Sequence, residues 1–144
     1  MASETLGIDA WIHATLTGDA TITSAVAARV YAEQAEQGAV FPYIVFRTID
    51  TRDVTSASAD RIMVTEVRVI EAVDEGQSFA DLKAIAERID VLFHKRPDAG
   101  SQTAGSTAGV TILASYRDRP HRLAEEQDGR HFRRLGGIYR ISAQ

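Results

Sequence analysis

The spacing of apolar residues predicts three helices. An apolar stripe from Ile8 to Leu16 recurs at intervals of three and four residues, which predicts a helix that ends at Gly18. A short second helix is expected at residues 19–28. The longest stripe runs from Phe79 to Phe93, and Ser78 is the expected first residue of this amphipathic helix, with Lys83, Glu87, Arg88 and Asp90 on its other side.

Runs of β-branched and aromatic residues predict strands between and after these helices. A short strand is expected at residues 29–31, and a long one opens at Phe41 and continues to about Val54. Pro42 belongs at the start of that strand, because proline has no N–H to donate to a ladder. The polar residues 55–60 predict a loop that joins this strand to the next in an antiparallel hairpin.

The strand Arg61–Val73 alternates with a period of two, and Met63, Val67, Val69 and Val73 are expected to share one face. Glu66 and Arg68 are then expected on the opposite face. Two further strands are predicted at residues 110–117 and 130–142, and Gly136-Gly137 inside the last one suggests a β-bulge.

The order of these elements predicts an α+β fold with a single domain over residues 1–144. Strands grouped in hairpins, with helices between them, favour a mostly antiparallel β-sheet with its helices packed on one face. Loops at about 50–60 and 95–109 are expected to be flexible in a free subunit and to become ordered when a partner docks. The order of the strands in the sheet is left open.

The composition excludes several classes of protein but says little about the function. The 144 residues are 44% hydrophobic and 25% charged, with no cysteine and a net charge of −4. The absence of cysteine excludes disulfides and cysteine-ligated metals. The sequence shows neither a signal peptide nor an apolar run of membrane-spanning length, so a protein of the cytoplasm with no membrane partner is expected. The acidic balance argues against a protein that grips nucleic acid.

Charge is unevenly distributed along the chain. Residues 1–94 hold 15 acidic and seven basic residues, whereas residues 95–144 hold five acidic and nine basic ones. Fourteen of the 16 basic residues are arginine, whose planar guanidinium suits ion pairs at protein surfaces. An acidic first part and a basic last part could meet between copies of the chain, although a solvated surface explains the same pattern.

No group of residues predicts catalysis, a cofactor or a metal. Gly100 to Thr107 imitates a phosphate-binding loop, but Ser106 replaces the lysine that would contact phosphate. The segment His121–His131 offers two imidazoles and three carboxylates, Glu125, Glu126 and Asp128, yet its spacing matches no zinc or calcium loop, so it is interpreted as a solvated hairpin connection. No nucleophile elbow occurs, and an enzyme is not expected.

The arrangement resembles the tail-terminator family of long-tailed phages, also called tail-completion or minor tail proteins, which gene transfer agents carry as well. The resemblance rests on the N-terminal helix, the strand at Arg29-Val30-Tyr31, the run Phe41-Pro42-Tyr43-Ile44-Val45-Phe46, the amphipathic helix Phe79–Phe93 and the ending Leu135–Ile141. It covers roughly residues 5–142. These motifs are structural and carry no catalytic signature.

The resemblance implies a structural virion protein at the head–tail junction, assembled in the host cytoplasm. Six copies would form a ring that caps the tail tube, ends its polymerisation and presents its other face to the neck of the filled head. The partners would be the tail tube protein and a head–neck connector, with DNA only passing through the central hole. The expected interface residues are Arg52, Asp53, Arg117, Arg119, Arg133 and Arg134.

Two other functions are compatible with the sequence. A head-closure or neck adaptor would have a similar size and charge. A small ligand-binding α+β dimer would need an apolar pocket with convergent polar groups, and the sequence shows no such cluster.

Overall fold

The computed structural model describes residues 3–94 and 110–144. Its helices are α1 (Ser3–Thr17), α2 (Ala20–Val26) and α3 (Lys83–Phe93), and a 3₁₀ turn at Ala80–Leu82 precedes α3. The strands are β1 (Val30–Ala32), β2 (Tyr43–Thr55), β3 (Arg61–Glu75), β4 (Ile112–Gln127) and β5 (Arg130–Ala143). No helix in these two ranges is long and apolar enough to cross a membrane.

All five described strands form one sheet in the order β1-β2-β3-β5-β4. The pairs β2–β3, β3–β5 and β4–β5 are antiparallel, and only the short β1 lies parallel to its neighbour β2. The two long antiparallel pairs β2–β3 and β4–β5 are hairpins, because each has a short connection between consecutive strands. The predicted α+β fold with a mostly antiparallel sheet is confirmed.

The main core lies between one face of the sheet and the three helices, as predicted. Buried residues of α1, α2 and α3 join Ile44, Phe46, Ile70 and Tyr139 of the sheet in one apolar cluster. Trp11 and Phe93 meet edge to face within it, with ring centroids 5.4 Å apart. We call this side of the sheet the helix face, and the side without helices the open face.

The two faces of β3 are as predicted: Met63, Val67, Val69 and Val73 share the open face, and Glu66 and Arg68 lie opposite them. Val64, Ile70 and Ala72 are the β3 residues in the helix-face core, and Glu66 and Arg68 lie on the same side of the strand. Both charged side chains are fully buried. Arg68 Nε donates to Glu66 Oε2 at 2.6 Å, and the guanidinium also donates to the Asp9 carboxylate on α1, so one buried cation ties α1 to the sheet.

Three predicted local features differ from the structure. The loop expected at 50–60 is shorter, because β2 continues through Thr55. The segment interpreted as a hairpin connection around His121 is strand, since β4 continues to Gln127. Gly136 and Gly137 pair in an uninterrupted register, and the irregularities lie in β4, between Ile112 and Ala114 and between Arg117 and Arg119. The loop expected at 95–109, including the phosphate-loop imitation, falls outside the described residues.

Candidate functional site

The open face is the candidate site because none of the helices in residues 3–94 and 110–144 covers it. The strand register places Tyr31, Val45, Glu71, Gly136 and His121 in one row across β1, β2, β3, β5 and β4. In antiparallel pairs, directly opposed residues project to the same side, so the residues of this row share a face. Neighbouring rows bring Arg47 and Arg134 to the same area.

A fully buried carboxylate, Glu71, lies at the centre of this area. Arg134 NH1 donates to Glu71 Oε1 at 2.7 Å, and Arg47 NH2 lies 3.6 Å from the same oxygen. His121 Nε2 lies 2.7 Å from the other oxygen, Oε2. In this cluster, one carboxylate therefore faces two guanidinium groups and one imidazole, and the imidazole is charged only when it is protonated.

Several atoms of this cluster lack a hydrogen-bond partner among the described residues. They are Arg47 Nε, Arg134 Nε, Glu71 Oε2 and His121 Nε2, each buried from solvent. His121 Nε2 lies 2.7 Å from Glu71 Oε2, and Arg134 Nε lies 3.2 Å from Glu125 Oε1, but neither pair has hydrogen-bond geometry. Buried polar groups are normally paired, so this cluster departs from the usual pairing of buried groups.

Neighbouring carboxylates stabilise the positive charge of Arg134. Burial lowers the pKa of Arg134, while the hydrogen bond to Glu71 and the charges of Glu71 and Glu125 raise it, with a net rise. Glu125 Oε1 lies 3.2 Å from Arg134 Nε. Arg134 therefore stays cationic and links the buried carboxylate of β3 to the exposed carboxylate of β4.

A cavity of about 310 Å³ opens above this cluster. It is lined by the loop after β1, by strand β2 and by the β4–β5 hairpin: Glu33, Gln34, Ala35, Glu36, Tyr43, Val45, Arg47, Glu125 and Arg134. We call it the open-face cavity. Burial raises the pKa of Tyr43 and, together with the charge of Glu36, that of Tyr31, so both phenols stay neutral hydrogen-bonding groups at physiological pH.

Aromatic side chains border the cavity on one side. Phe41 stacks on Tyr43 with ring centroids 5.3 Å apart and lies 5.9 Å from Phe132 of β5. The Arg130 guanidinium lies 5.2 Å above the Phe132 ring and forms a paired contact with Glu75 at 2.7 and 3.0 Å. This apolar border beside mixed charges is typical of protein-binding surfaces.

The six residues predicted for an interface do not form one patch. Arg52, Arg119 and Arg134 lie on the open face, and all but Arg134 are exposed. The other three lie on the helix side of the sheet. There Arg117 Nε is 3.3 Å from Asp90 Oδ1, Arg133 lies over the Phe79 ring, and Asp53 is 3.9 Å from Arg61.

The two histidines considered as metal ligands are separated by the sheet. His121 is on the open face against Glu71, while His131 is opposite Glu126 in register and lies on the other side. Within residues 3–94 and 110–144, no three histidine or acidic side chains are grouped so that they could hold a metal ion.

Sequence reasoning missed Arg47, Glu71 and His121 as members of one cluster. A weak signal was present, because Glu71 interrupts an apolar stretch between Ile70 and Ala72. A charged residue in such a stretch needs a partner when it is buried. Those partners come from β2, β4 and β5, so only the strand order identifies them.

Comparison with known proteins gives a family and a fold relative. The family model described as "Tail completion protein gp17" matches residues 10–133. A chain in the structure titled "Virion of native gene transfer agent (GTA) particle" has a TM-score of 0.70 at 16% sequence identity, over 96% of this chain and 97% of that one. At this identity the likeness shows a shared fold. No curated protein matches the chain significantly.

Proposed function

The chain belongs to the tail completion protein gp17 family, and we propose that it is a structural virion protein whose six copies form a ring on the end of the tail tube. The ring stops tube polymerisation, and its other face receives the neck of the filled head. The protein is assembled in the host cytoplasm, works at the head–tail junction and has no enzymatic activity. The family match, which extends from α1 to β5, is the observation that carries this proposal.

The position of the charged residues supports a ring. A ring needs a heterologous contact, in which one surface of a copy meets a different surface of its neighbour. Arg52 and Asp53 lie near the turn of the β2–β3 hairpin, whereas Arg134 lies at the other end of the sheet. We therefore keep all six predicted residues as interface candidates, divided between two contact surfaces.

The charge of the assembly suits a channel that DNA passes through. Six copies with a charge of −4 each give a ring of −24. Tight binding of DNA requires that Lys and Arg neutralise phosphates. A lumen that shares this negative sign would let the genome slide through the hole instead of holding it.

Binding to isolated tail tubes tests the function. Purified protein is added to tubes from particles that lack it, and electron microscopy is used to look for a six-fold cap at one tube end. We expect capped tubes of constant length that accept filled heads. Binding to portal rings instead of tubes would identify a neck adaptor, and a stable dimer that ignores tubes would favour a ligand-binding protein.

A further inference from the structure

Two carboxylates at the open-face cavity have no cationic partner among the described residues. Glu33 Oε1 accepts from Thr48 N at 3.2 Å and from Thr48 Oγ1 at 3.1 Å. Glu36 Oε1 accepts from the Tyr31 hydroxyl at 3.2 Å. All these donors are neutral groups, so none of these hydrogen bonds brings a cation to either carboxylate.

The cations that line the same cavity are already engaged. Arg134 pairs with Glu71 and Glu125, and Arg47 also faces Glu71. The cavity thus presents an excess of negative charge beside the Tyr43 ring and the Val45 side chain. Such a lining is complementary to a guanidinium, which can form paired hydrogen bonds to carboxylates and stack on an aromatic ring.

Arg52 lies at the opposite end of the sheet from the cavity. It has no ion-pair partner in the described ranges. Arg52 is exposed on β2 and is opposite Thr65, which places it on the open face. In the part of the chain that the structure describes, β2 has no strand on its outer side beyond Phe46, because β1 pairs only with Ile44–Phe46. We call residues 49–62, the end of the β2–β3 hairpin, the arm.

Arg52 does not reach the cavity of its own copy. It lies seven residues along β2 from Val45 in the cavity lining, which corresponds to roughly 20 Å of extended strand. Both ends of the sheet also expose large apolar side chains: Leu123 is opposite the cavity residue Arg134 in register, and Ile49 and Ile62 belong to the arm. Charged groups within an apolar border can exclude water when two copies meet.

We propose that Arg52 of one copy enters the open-face cavity of the next copy, where Glu33 and Glu36 receive its guanidinium. This inference rests on the ring described under the proposed function and names the two surfaces that close it. Because the donor and the acceptor lie at opposite ends of one sheet, each copy gives an arm to one neighbour and receives an arm from the other. That head-to-tail contact closes into a ring when its rotation is one sixth of a turn.

Disulfide cross-linking tests the contact directly, because the natural chain has no cysteine. The double variant Arg52→Cys/Glu36→Cys is assembled on tail tubes and oxidised. We expect a ladder of covalent species that ends at the hexamer on non-reducing gels. The matched control, Arg52→Cys/Lys83→Cys, places the second cysteine on the exposed side of α3 and should give no ladder.

Charge reversal provides a second test on assembly. Arg52→Glu and Glu36→Arg should each lower the yield of capped tubes roughly tenfold or more, and the combined variant should restore most of it. Lys83→Glu changes the net charge as much as Arg52→Glu does and should assemble normally. Circular dichroism and the unfolding midpoint of each free variant establish that it is folded.

The possible outcomes distinguish failure of the proposed Arg52 contact from failure of the proposed function. If the natural protein does not cap tubes, the proposed function fails and the inference fails with it. If the natural protein caps tubes while Arg52→Cys/Glu36→Cys gives no ladder, or while Arg52→Glu assembles as well as Lys83→Glu, only the inference is overturned. A ladder together with rescue by the combined charge reversal supports it.

Discussion

Arg88 on α3 and Asp19 at the start of α2 join two helices through one carboxylate. Arg88 NH2 donates to Asp19 Oδ1 at 2.6 Å, and Arg88 Nε donates to Oδ2 at 3.0 Å. The same carboxylate accepts from the backbone N–H of Ile22 at 3.1 Å and so caps α2. The short helix α2 therefore depends on a side chain that belongs to two interactions at once.

Substitutions of Asp19 should distinguish the stability that comes from the helix cap from the stability that comes from the ion pair with Arg88. Asp19→Ala removes both and should lower the free energy of unfolding by about 1–2 kcal/mol, within the range measured for lost helix caps. Asp19→Asn keeps an oxygen that can accept from Ile22 N, so we expect a smaller loss. Urea unfolding at pH 7 measures both values, and equal losses in the two variants would contradict a capping role.

The same pair predicts a pH dependence of stability. The hydrogen bond from Arg88 lowers the pKa of Asp19 below its ordinary value of 3.8, against the effect of burial. A group whose pKa is lower in the folded state than in the unfolded state stabilises the fold above the unfolded value. That contribution is lost as the pH falls below about 3.8 toward the lower folded pKa.

Asp19→Asn should therefore make the stability of the protein less dependent on pH in the acid range. The difference in unfolding midpoint between the natural protein and the variant should be largest at neutral pH and shrink as the pH falls below about 3.8. Glu75, whose pKa is lowered by its hydrogen bond from Arg130, is unchanged in both proteins and cancels from the comparison. A difference that stays constant down to pH 2 would exclude a lowered pKa at Asp19.

Removal of the buried carboxylate on the open face should be costly. Glu71→Gln removes the fully buried anion that Arg134 and His121 share, and leaves Arg134 with only the Glu125 carboxylate. Removing one partner of a buried ion pair typically costs about 3–5 kcal/mol. Glu87→Gln, which breaks the exposed Lys83 pair on α3, should cost less than about 0.5 kcal/mol. Similar losses in both variants would show that Glu71 acts as a surface charge.

The buried pair on the helix face should behave differently when both members are replaced. Arg68→Met leaves Glu66 buried without a cation and should cost about 3–5 kcal/mol. Arg68→Met/Glu66→Leu removes both charges and should recover most of the stability, because apolar replacements of buried pairs are often neutral. Asp9 is partly exposed and stays solvated in both variants. If the double variant is as unstable as Arg68→Met, this explanation is wrong.

Local periodicity was sufficient to predict most helices and strands of this fold. The stripes at Ile8–Leu16 and Phe79–Phe93 correspond to α1 and to the 3₁₀ turn with α3, because one side of each faces the core. The alternation in Arg61–Val73 predicted β3 correctly as a strand. Its division into two faces was also correct, but the burial of Glu66 and Arg68 was not predicted, because these two residues neutralise each other on the helix face.

The open-face cluster could not be predicted in the same way. Glu71 is held by Arg47, Arg134 and His121, which come from three other strands, so the contact depends on a strand order that the sequence leaves open. The length of β4 was missed for a related reason. Its outer half contains Pro120 and many charged residues, which are typical of an edge strand but also of a loop.

The glycine pair in β5 provides a last test of the structure. A Cβ built on Gly136 would lie 2.0 Å from Ile70 O and 2.7 Å from Glu71 Cα, both backbone atoms of the neighbouring strand. Gly136→Ala must therefore push β5 away from β3 beneath the Glu71 cluster, and we expect a loss of about 3 kcal/mol or more, with weaker binding to tail tubes. A Cβ on Gly137 would instead meet the Tyr139 ring at 2.8 Å, and a side chain can shift more easily than a strand. Gly137→Ala should cost less, and the reverse order of unfolding midpoints would contradict the close approach of β5 to β3 at Gly136.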